Sequence, residues 1–545
     1  MSTTEPATAG GPDSTIAAPG GAPNYLSHKQ ILVILGGLMA GMFLAALDQS
    51  IVGTALPRIV SEFNSLDKLS WVVTAYLLTS TASTPLWGKI SDLYGRRPLF
   101  IAAIVIFLAG SVLSAMSQNI EMLIGFRAVQ GLGAGGLMSL AFATIGDVIP
   151  PRERGKYMGY FGAVFGLSSV AGPLLGGLLT DGPGWRWIFW INVPIGLVAL
   201  GIVAAVLKLP HVKRSHKIDY LGAATVAAAV TTLLLAISWS GPSNGWGNGT
   251  TIGLLVAAVV LAVAFVFIEL RVAEPIIPMD LFKGRIFSGY AGYAFLLGFA
   301  MFGALIFLPL YLQAVKDLSP TQSGLALLPM IVGIFSASIP SGQLMSKTGR
   351  YKVYPIISSI LVSAAMVMLS TLSLTTPYWQ MAIYMFVMGA GLGLSMQITV
   401  TAAQNSVPRK HMGTATSTMT FFRSMGGAIG TAVYGAVLTI RLKDHLTDIV
   451  PNATQAVVDG LAKAANSVQA LHGLAQPMKG WALHGLVDAM DDVFLVSLPF
   501  LAIALILAII TPEQRLAGRS DGPKPEGQEP EGEDSVEASA AAAMH

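Results

Sequence analysis

A single carboxylate lies in a long stretch of sequence that otherwise has no charge. Asp48 falls within Ile31–Pro57, where every other residue is apolar, small or polar without charge. Placing an aspartate at the centre of a membrane helix costs about 2.5 to 3.5 kcal/mol, and ionisable residues at that depth usually mark an ion path or a proton relay. The residue type and its surroundings therefore predict that Asp48 marks an ion path or a proton relay, and that a proton binds there if the chain exchanges protons.

Composition indicates the environment of this carboxylate. Of 545 residues, 53% are apolar and 11% are charged, and the mean hydropathy is +0.65. A soluble domain has about 25% charged residues, so most of this chain is expected to lie in lipid. The chain has no cysteine, which excludes disulfides and thiol-based metal sites.

The sequence lacks the motifs of several enzyme classes. It contains no His-Glu-x-x-His, no Gly-x-x-x-x-Gly-Lys-Ser/Thr and no paired carboxylates inside an apolar segment. These patterns carry zinc proteolysis and nucleotide binding. We therefore expect no enzymatic activity, no metal, no cofactor and no nucleic-acid partner, and a monomer.

Fourteen apolar segments long enough to cross a membrane follow one another along the chain. We predict helices at Ile31–Pro57, Trp71–Ile90, Leu99–Met116, Met122–Ile145, Met158–Leu179, Trp187–Val206, Tyr220–Ile237, Ile252–Ile268, Ile286–Leu312, Gly324–Met345, Val353–Leu374, Tyr378–Val400, Met419–Thr439 and Val493–Ile510. Lys and Arg are concentrated in the links after the even-numbered segments. By the positive-inside rule these links and both termini are cytoplasmic.

An internal repeat divides the segments into two halves. The loop Gly88-x-x-x-Asp92-x-x-Gly95-Arg96, after segment 2, has a degraded copy at 342–350, after segment 10, and the glycine run 131–136 recurs at 389–393. The predicted fold class is an all-α polytopic membrane protein with two duplicated six-helix bundles and two inserted helices. Duplicated halves with a site at the bilayer midplane are typical of secondary transporters.

The predicted organisation has five parts. They are a disordered cytoplasmic tail at 1–27, a six-helix bundle at 28–207, two inserted helices with linkers at 208–285, a second bundle at 286–511, and a disordered acidic cytoplasmic tail at 512–545. The second bundle includes a long extracellular loop at 441–492, with short surface helices expected at Ala456–Ala465 and Ser467–Leu474. The loop is either a structural cap or a substrate gate.

Depth in the membrane links Asp48 to one partner. Asp48 precedes Pro57 by nine residues, which puts it about 13 Å below the outer end of segment 1 at 1.5 Å per residue. Arg127 follows Glu121 by six residues, about 9 Å down segment 4. We expect Asp48 and Arg127 to form an ion pair, which either couples transport to protons or is a static brace.

Several motifs resemble those of one family. Gly88-x-x-x-Asp92-x-x-Gly95-Arg96-Arg97 and Arg127-x-x-Gln130-Gly131 resemble motifs of the major facilitator superfamily, and Gly166 with Gly172-Pro173-x-x-Gly176-Gly177 resembles its antiporter motif. Leu47–Pro57, Trp71–Tyr76 and Trp185–Gly196 are similar to the fourteen-helix drug:proton antiporters, which include quaternary-ammonium and antibiotic-resistance exporters. The resemblance covers nearly the whole chain outside its tails.

The resemblance and the helix dipoles together predict a conformational latch. Asp92 and Asp147 end segments 2 and 4, where a carboxylate is disfavoured by its own helix dipole, and Arg96 is close enough in sequence to bridge them. We expect this cluster, with Gly88, Gly95 and Arg97 around it, to hold the cytoplasmic side closed. The alternative is a set of interfacial charges that only fix topology.

The family fold implies that segments 1, 2, 4, 5, 9, 10, 12 and 13 line the transport cavity. The candidate substrate contacts are Tyr76, Gln130, Asn192, Met301, Phe302, Tyr311, Gln313, Met396, Gln397 and Arg423. For each of these residues the alternative role is packing. Methionine and aromatic side chains suit recognition of varied shapes because they repack around different ligands.

The resemblance implies a secondary active transporter in a bacterial plasma membrane. It would export hydrophobic or cationic drugs or antibiotics in exchange for protons, by alternating access, with the proton gradient as energy source. Export of an endogenous lipid or metabolite is the alternative within transport. A channel or an intramembrane enzyme is the alternative from a different class.

Overall fold

The computed structural model describes residues 28–63, 69–149, 151–207, 219–240, 247–408, 411–451, 454–465, 470–471 and 473–516. Within these ranges every regular element is helical. The helices are α1 (His28–Phe63), α2 (Leu69–Tyr94), α3 (Arg96–Ala115), α4 (Ile120–Val148), α5 (Pro151–Asp181), α6 (Trp187–Trp190), α7 (Asn192–Val206), α8 (Tyr220–Ser240), α9 (Gly249–Glu269), α10 (Arg285–Ala314), α11 (Pro320–Ala326), α12 (Leu328–Thr348), α13 (Val353–Leu369), α14 (Tyr378–Asn405), α15 (Met412–Ile449), α16 (Gln455–Ala465) and α17 (Met478–Ile510), with a 3-10 turn at Met279–Lys283.

Each of the fourteen predicted segments lies mainly on one helix or on two consecutive helices. In the described part of the chain, eleven helices are long and apolar enough to cross a membrane. α13 is apolar but shorter, and α2 and α5 are long but less apolar. The prediction of an all-α polytopic membrane fold is confirmed, while the number fourteen stays a prediction.

Local sequence signals explain several helix ends. Asn119 begins α4, where its side-chain oxygen accepts a hydrogen bond from Met122 N at 2.8 Å. Ser319 and Gln322 form a reciprocal capping box at the start of α11. Such caps satisfy backbone N–H groups that have no partner inside the helix. Gly349 follows the last residue of α12, and its φ of 70° is accessible to glycine at no steric cost.

The segment predicted as a long loop, 441–492, is largely helical. α15 continues to Ile449 and α17 begins at Met478, so the two flanking helices extend well into it, and α16 corresponds to the surface helix expected at Ala456–Ala465. The hydropathy pattern did not predict these turns because they contain charged residues. Buried Leu442, Leu446 and Leu486 nevertheless continue the apolar core there. The other expected surface helix, Ser467–Leu474, includes residues outside the described part.

A similar difference occurs at the end of segment 11. The sequence predicted a helix to Leu374, but α13 ends at Leu369. The residues that follow form a turn. Two hydrogen bonds hold it: Ser373 N donates to Thr376 Oγ1 at 2.8 Å, and Lys316 Nζ donates to Leu374 O at 2.9 Å. The apolar leucines at 372 and 374 therefore belong to a packed turn and not to the helix.

The internal repeat appears as repeated packing. α1 packs on α5 and α7, α2 on α4, and α3 on α4 and α7; α10 packs in the same way on α15 and α17, α12 on α14, and α13 on α14 and α17. Glycines make the equivalent close contacts in both halves. Gly131 of α4 lies against Tyr76 of α2, and Gly389 of α14 lies against Met330 of α12. Two six-helix bundles are thus duplicated, as predicted.

The two inserted helices form a separate unit beside the first bundle. α8 and α9 pack mainly on each other, and α8 also contacts α2 and α15. The apolar contact is made by Val226, Val230 and Leu234 of α8 with Ala82 of α2. The inserted pair therefore touches one helix from each half.

Candidate functional site

Asp48 and Arg127 form an ion pair in the interior of the first bundle. Arg127 Nη1 lies 2.5 Å from Asp48 Oδ2, and the two residues are 1% and 0% exposed. The predicted partner is therefore the observed one. Burying an unpaired charge is far more costly than burying a hydrogen-bonded pair. Each residue therefore lowers the free-energy cost of burying the other.

Two amide side chains complete the surroundings of the carboxylate. Asp48 Oδ1 accepts hydrogen bonds from Gln130 Nε2 at 2.8 Å and from Asn192 Nδ2 at 3.0 Å. Gln130 Oε1 in turn accepts a hydrogen bond from Arg127 Nη1 at 2.8 Å. We call Asp48, Arg127, Gln130 and Asn192 the proton network, after the role that is proposed for Asp48 below. It joins α1, α4 and α7 through one buried carboxylate.

Aromatic rings and backbone carbonyls enclose the arginine. The guanidinium carbon of Arg127 lies 4.2 Å from the ring centre of Tyr76 and 5.8 Å from that of Phe189. Arg127 Nε donates to Val72 O at 3.4 Å, and the Tyr76 hydroxyl donates to Ala45 O at 3.2 Å. Three predicted substrate contacts, Tyr76, Gln130 and Asn192, are thus buried around the ion pair in this conformation.

Sequence reasoning missed one member of this region. Ser111 of α3 accepts a hydrogen bond from Asn192 Nδ2 at 3.0 Å and donates to Phe189 O at 2.8 Å, which orients the Asn192 amide. Asn192 Oδ1 has no hydrogen-bond partner among the described residues. The sequence marks Ser111 only as a polar residue within an apolar segment. Serine is too common in membrane helices for that pattern to identify it.

The predicted latch residues form a second charge cluster, at the end of the bundle that the Lys and Arg distribution assigns to the cytoplasm. Arg96 Nη2 lies 2.6 Å from Asp92 Oδ1, and Arg96 Nε lies 2.6 Å from Asp147 Oδ2. Arg96 also donates to the hydroxyl of Ser91. We call Asp92, Arg96 and Asp147 the latch cluster. It joins α2, α3 and α4.

The latch cluster reaches into the second half of the protein. Asp92 Oδ1 accepts a hydrogen bond from Gly413 N at 3.1 Å, and Asp92 Oδ2 accepts one from Thr414 N at 2.9 Å. Both donors lie in the first turn of α15, where a carboxylate is stabilised by free N–H groups and by the helix dipole. Sequence reasoning missed this contact because it began the helix at Met419 and not at Met412.

A second contact joins the two halves beside the first. Arg154 of α5 is 2% exposed and donates to Gln404 Oε1 of α14 at 3.0 Å, and Gln404 Nε2 donates to Phe142 O of α4 at 3.1 Å. In the sequence Arg154 is one of the positive charges in the link after segment 4, and no pattern there indicates this contact. Together with Asp92, it closes this end of the molecule between the halves.

Of the remaining residues of the predicted latch, Gly88 and Gly95 lie beside the latch cluster and Arg97 does not join it. Gly88 lies against the side chain of Ser417 and the backbone of Gly413, where a larger residue would separate α2 from α15. Gly95 has a φ of 92°, which favours glycine. Arg97 points away from the latch cluster, because its Nη2 donates to Ala204 O of α7 at 2.5 Å.

The predicted antiporter motif forms the contact between α5 and α1. Gly172 lies against Ser50, and Gly176 lies against Thr54, so that two residues four apart on α5 meet two residues four apart on α1. Ser50 Oγ also donates to Ser168 O at 2.9 Å. Gly177 is half-buried, and the surroundings of Gly166 lie outside the described residues. Small residues at such positions let helices approach closely.

Pro173 has a different neighbour from the glycines beside it. It lies within α5, 3.2 Å from where a Cβ atom on Gly324 of α11 would stand. The proline is thus at a contact between the two halves, and it interrupts the hydrogen-bond ladder of α5 there.

The predicted substrate contacts in the second half do not join the proton network in the described part of the chain. Met301 is buried, Phe302 lies against Gly427, the hydroxyl of Tyr311 donates to Ser373 O at 2.5 Å, and Gln313 and Met396 are half-buried. The side chain of Gln397 lies outside the described residues. Arg423 of α15 is only partly buried, and no carboxylate pairs with it among the described residues.

Comparison with known proteins decides the family. The family model of the Major Facilitator Superfamily matches residues 38–431. The chain belongs to the major facilitator superfamily. It is 40% identical over 517 residues to an uncharacterised MFS-type transporter of Mycobacterium tuberculosis, covering 94% of this chain and 74% of the relative. It is 35% identical over 514 residues to the multidrug transporter protein MdtP of Bacillus subtilis, covering 89% of this chain and 94% of the relative.

Solved structures of the major facilitator superfamily share the fold. The proton:xylose symporter XylE matches with a TM-score of 0.60 at 14% identity, over 91% of this chain and 99% of the symporter chain. The human organic anion transporter MFSD10 matches with a TM-score of 0.56 at 17% identity, over 86% of this chain and 99% of that one. This superfamily member is therefore a multi-pass membrane protein with a transporter fold, and its family consists of transporters and not of enzymes.

Proposed function

We propose that this protein exports hydrophobic or cationic drugs in exchange for protons, by alternating access. The observation that carries the proposal is the buried Asp48–Arg127 pair, which places one ionisable carboxylate on a network of hydrogen bonds deep in a membrane helix. The multidrug transporter of Bacillus subtilis, 35% identical, supports the substrate class.

The proton step uses the residues around Asp48. A proton that reaches Asp48 from outside neutralises the carboxylate and weakens its attraction for Arg127, since a neutral acid holds a guanidinium far less strongly than an anion does. The amides of Gln130 and Asn192 keep hydrogen-bonding capacity toward either form of the carboxyl group. Release of the proton to the cytoplasm restores the pair.

The energy of one proton is sufficient for export. One elementary charge that crosses 100 mV gains about 2.3 kcal/mol, which sustains a concentration ratio of roughly fifty at 1.4 kcal/mol per factor of ten. In this proposal the proton gradient is the only energy source and no cofactor takes part.

The contacts between the halves support the conformational step. The latch cluster and Arg154 join the two halves at the end assigned to the cytoplasm, so opening toward that side breaks the bonds from Asp92 to α15 and from Arg154 to Gln404. Ser346 takes the place of the acid in the second half. The opening is therefore asymmetric, with the charged latch on one side only.

We place both termini in the cytoplasm, the protein in a bacterial plasma membrane, and the working unit as a monomer.

Transport in proteoliposomes with an imposed proton gradient tests this function. The protein should concentrate a fluorescent cationic dye, the accumulation should collapse with a protonophore, and Asp48→Asn should abolish uphill movement but retain dye binding. Uphill transport by Asp48→Asn that still collapses with protonophore would refute Asp48 as the coupling site. Dye transport that persists without a proton gradient, or movement only of lipid, would refute the proposed exchange.

A further inference from the structure

Two buried carboxylates lie outside the proton network and the latch cluster. Asp219 precedes α8 and is 8% exposed, and Glu269 ends α9 and is 3% exposed. One oxygen of each is held by backbone: Asp219 Oδ1 accepts from Gly222 N at 2.9 Å, and Glu269 Oε2 accepts from Ile277 N at 3.0 Å. The other two oxygens, Asp219 Oδ2 and Glu269 Oε1, are buried without a hydrogen-bond partner among the described residues.

The two unpartnered oxygens are neighbours. Both lie against the same side of Gly222, where a Cβ atom would stand 2.7 Å from Glu269 Oε1 and closer still to Asp219 Oδ2. Two ionised carboxylates packed against one glycine repel each other strongly, because burial weakens the screening by solvent. A single proton held between them would remove this repulsion.

The charges that the structure describes nearby do not replace that proton. Lys89 of α2 acts electrostatically on Glu269, but no ion pair links it to either carboxylate in the described part of the chain. Asp280 and Lys283, on the 3-10 turn that follows, pair with each other at 2.6 Å in solvent. Arg271 follows α9 and is exposed. Among the described residues no three acidic or histidine side chains converge as a metal site would require.

We propose that Asp219 and Glu269 share one proton and form a second proton-binding site, at the end of the inserted helices that the proposed topology places in the cytoplasm. The protonated carboxyl donates to the ionised one, and the remaining oxygens keep Gly222 and Ile277 in place. This arrangement fixes the start of α8, the end of α9 and the chain that continues to α10. Loss of the proton leaves two adjacent negative charges and loosens the connection between the two halves.

The pH dependence of stability tests the site without requiring transport. The native pair holds a proton that the unfolded carboxyl groups, with an ordinary pKa of about 4, release. Stability therefore falls as pH rises above about 4, over the range in which the native pair keeps a proton that the unfolded carboxyl groups have lost, and the melting temperature of the full-length protein in detergent should fall with rising pH. Glu269→Gln should flatten this fall, because its amide accepts from Ile277 and donates to Asp219 at every pH. Glu269→Ala should lower the melting temperature at every pH.

Infrared spectroscopy provides the direct readout, in an Asp48→Asn background so that this carboxyl does not contribute. A C=O band of a protonated carboxyl group should be present at neutral pH and should disappear in both Asp219→Asn and Glu269→Gln. An unchanged band, or a Glu269→Gln protein with the pH slope of the parent, overturns the proposal. So does a rise in melting temperature with added Mg²⁺ or Ca²⁺ that Glu269→Gln abolishes, since a cation would then take the place of the proton. Neither measurement depends on Asp48, so a failure of the proposed exporter function leaves this test intact.

Discussion

Asp92 of the first half binds Thr414 of the second half at two points: Asp92 Oδ2 accepts hydrogen bonds from the backbone nitrogen of Thr414 at 2.9 Å and from its hydroxyl at 3.0 Å. The Asp92 carboxylate thus caps the N-terminus of α15, a helix that lies far from it in the sequence. This contact is more specific than a surface ion pair, because it needs α2 and α15 in one relative position.

Replacing Asp92 should therefore loosen the closed end of the protein. Asp92→Asn keeps the shape of the side chain but loses its charge toward Arg96 and toward α15. The chain has no cysteine, so a single Ser417→Cys, buried beside Gly88, reports opening through its reaction with a water-soluble maleimide. We expect labelling to be about tenfold faster in Asp92→Asn, equivalent to about 1.4 kcal/mol. Asp147→Asn serves as the comparison, since Asp147 is more exposed and makes no described bond to α15; equal labelling in all three proteins would contradict the latch.

The close approach of Gly413 to the latch cluster gives a steric test. A Cβ atom at Gly413 would collide with Arg96 Nη1 and Asp92 Oδ1, whereas one at Gly435, on the same helix, would meet open space. Gly413→Ala should cost about 1 to 3 kcal/mol, as overpacking does, and should speed the same maleimide reaction. Gly435→Ala should leave both measurements unchanged or raise stability by up to about 1 kcal/mol, the helix preference of alanine over glycine. Equal effects of the two substitutions would show that the latch is not sensitive to this approach.

The contact between α1 and α5 predicts a compensating pair of substitutions. Gly176→Ala places a methyl group against the Thr54 hydroxyl, and Thr54→Ala removes that hydroxyl. We expect Gly176→Ala alone to destabilise by about 1 to 3 kcal/mol and to lower the transport rate. The double variant should recover part of both losses, with a coupling energy of about 0.5 kcal/mol or more. Thermal unfolding of the wild type and the three variants measures the coupling, and strict additivity would show that the two residues do not interact.

The unpaired charge of Arg423 should affect which substrates bind. If a cationic substrate sits about 10 Å from Arg423 at an effective dielectric constant of 20, the repulsion is about 1.7 kcal/mol. Arg423→Gln should then raise the affinity for a singly charged cationic dye by roughly fifteenfold, with little change for a neutral analogue of the same shape. Equilibrium dye binding to purified protein measures both. Arg423→Lys, which keeps the charge, is the matched control, and an equal change for both ligands would assign Arg423 to packing.

Much of this architecture follows from residue types and spacing. Lipid requires every spanning segment to satisfy its own backbone hydrogen bonds, so hydropathy alone marks most helices. The cost of an intramembrane charge made Asp48 and Arg127 conspicuous, and their depths along two antiparallel helices were enough to pair them. The latch cluster could be inferred for a similar reason, since two acids at helix C-termini need a cation nearby.

Other contacts could not be read from the sequence because they depend on three-dimensional packing. Ser111 and the first turn of α15 act through a hydroxyl and through backbone nitrogens, which no residue pattern marks. Gln130 and Asn192 were expected to face a substrate but are hydrogen-bonded to Asp48, since amides suit both roles. Asp219 and Glu269 are fifty residues apart in sequence and become neighbours only through the hairpin of α8 and α9.

In the proposed exchange cycle, the helix α4 would link proton binding at Asp48 to opening at the latch cluster. It carries Arg127 and Gln130 of the proton network, and near its other end Asp147 of the latch cluster, about 30 Å away at 1.5 Å per residue. The ion pair at Asp48 lies wholly inside the first half, whereas the latch cluster is hydrogen-bonded through Asp92 to α15 of the second half. The glycines of α4 let it pack closely on its neighbours. A small rotation of this helix would therefore move Arg127 and Asp147 together, and the two distant sites would respond as one unit.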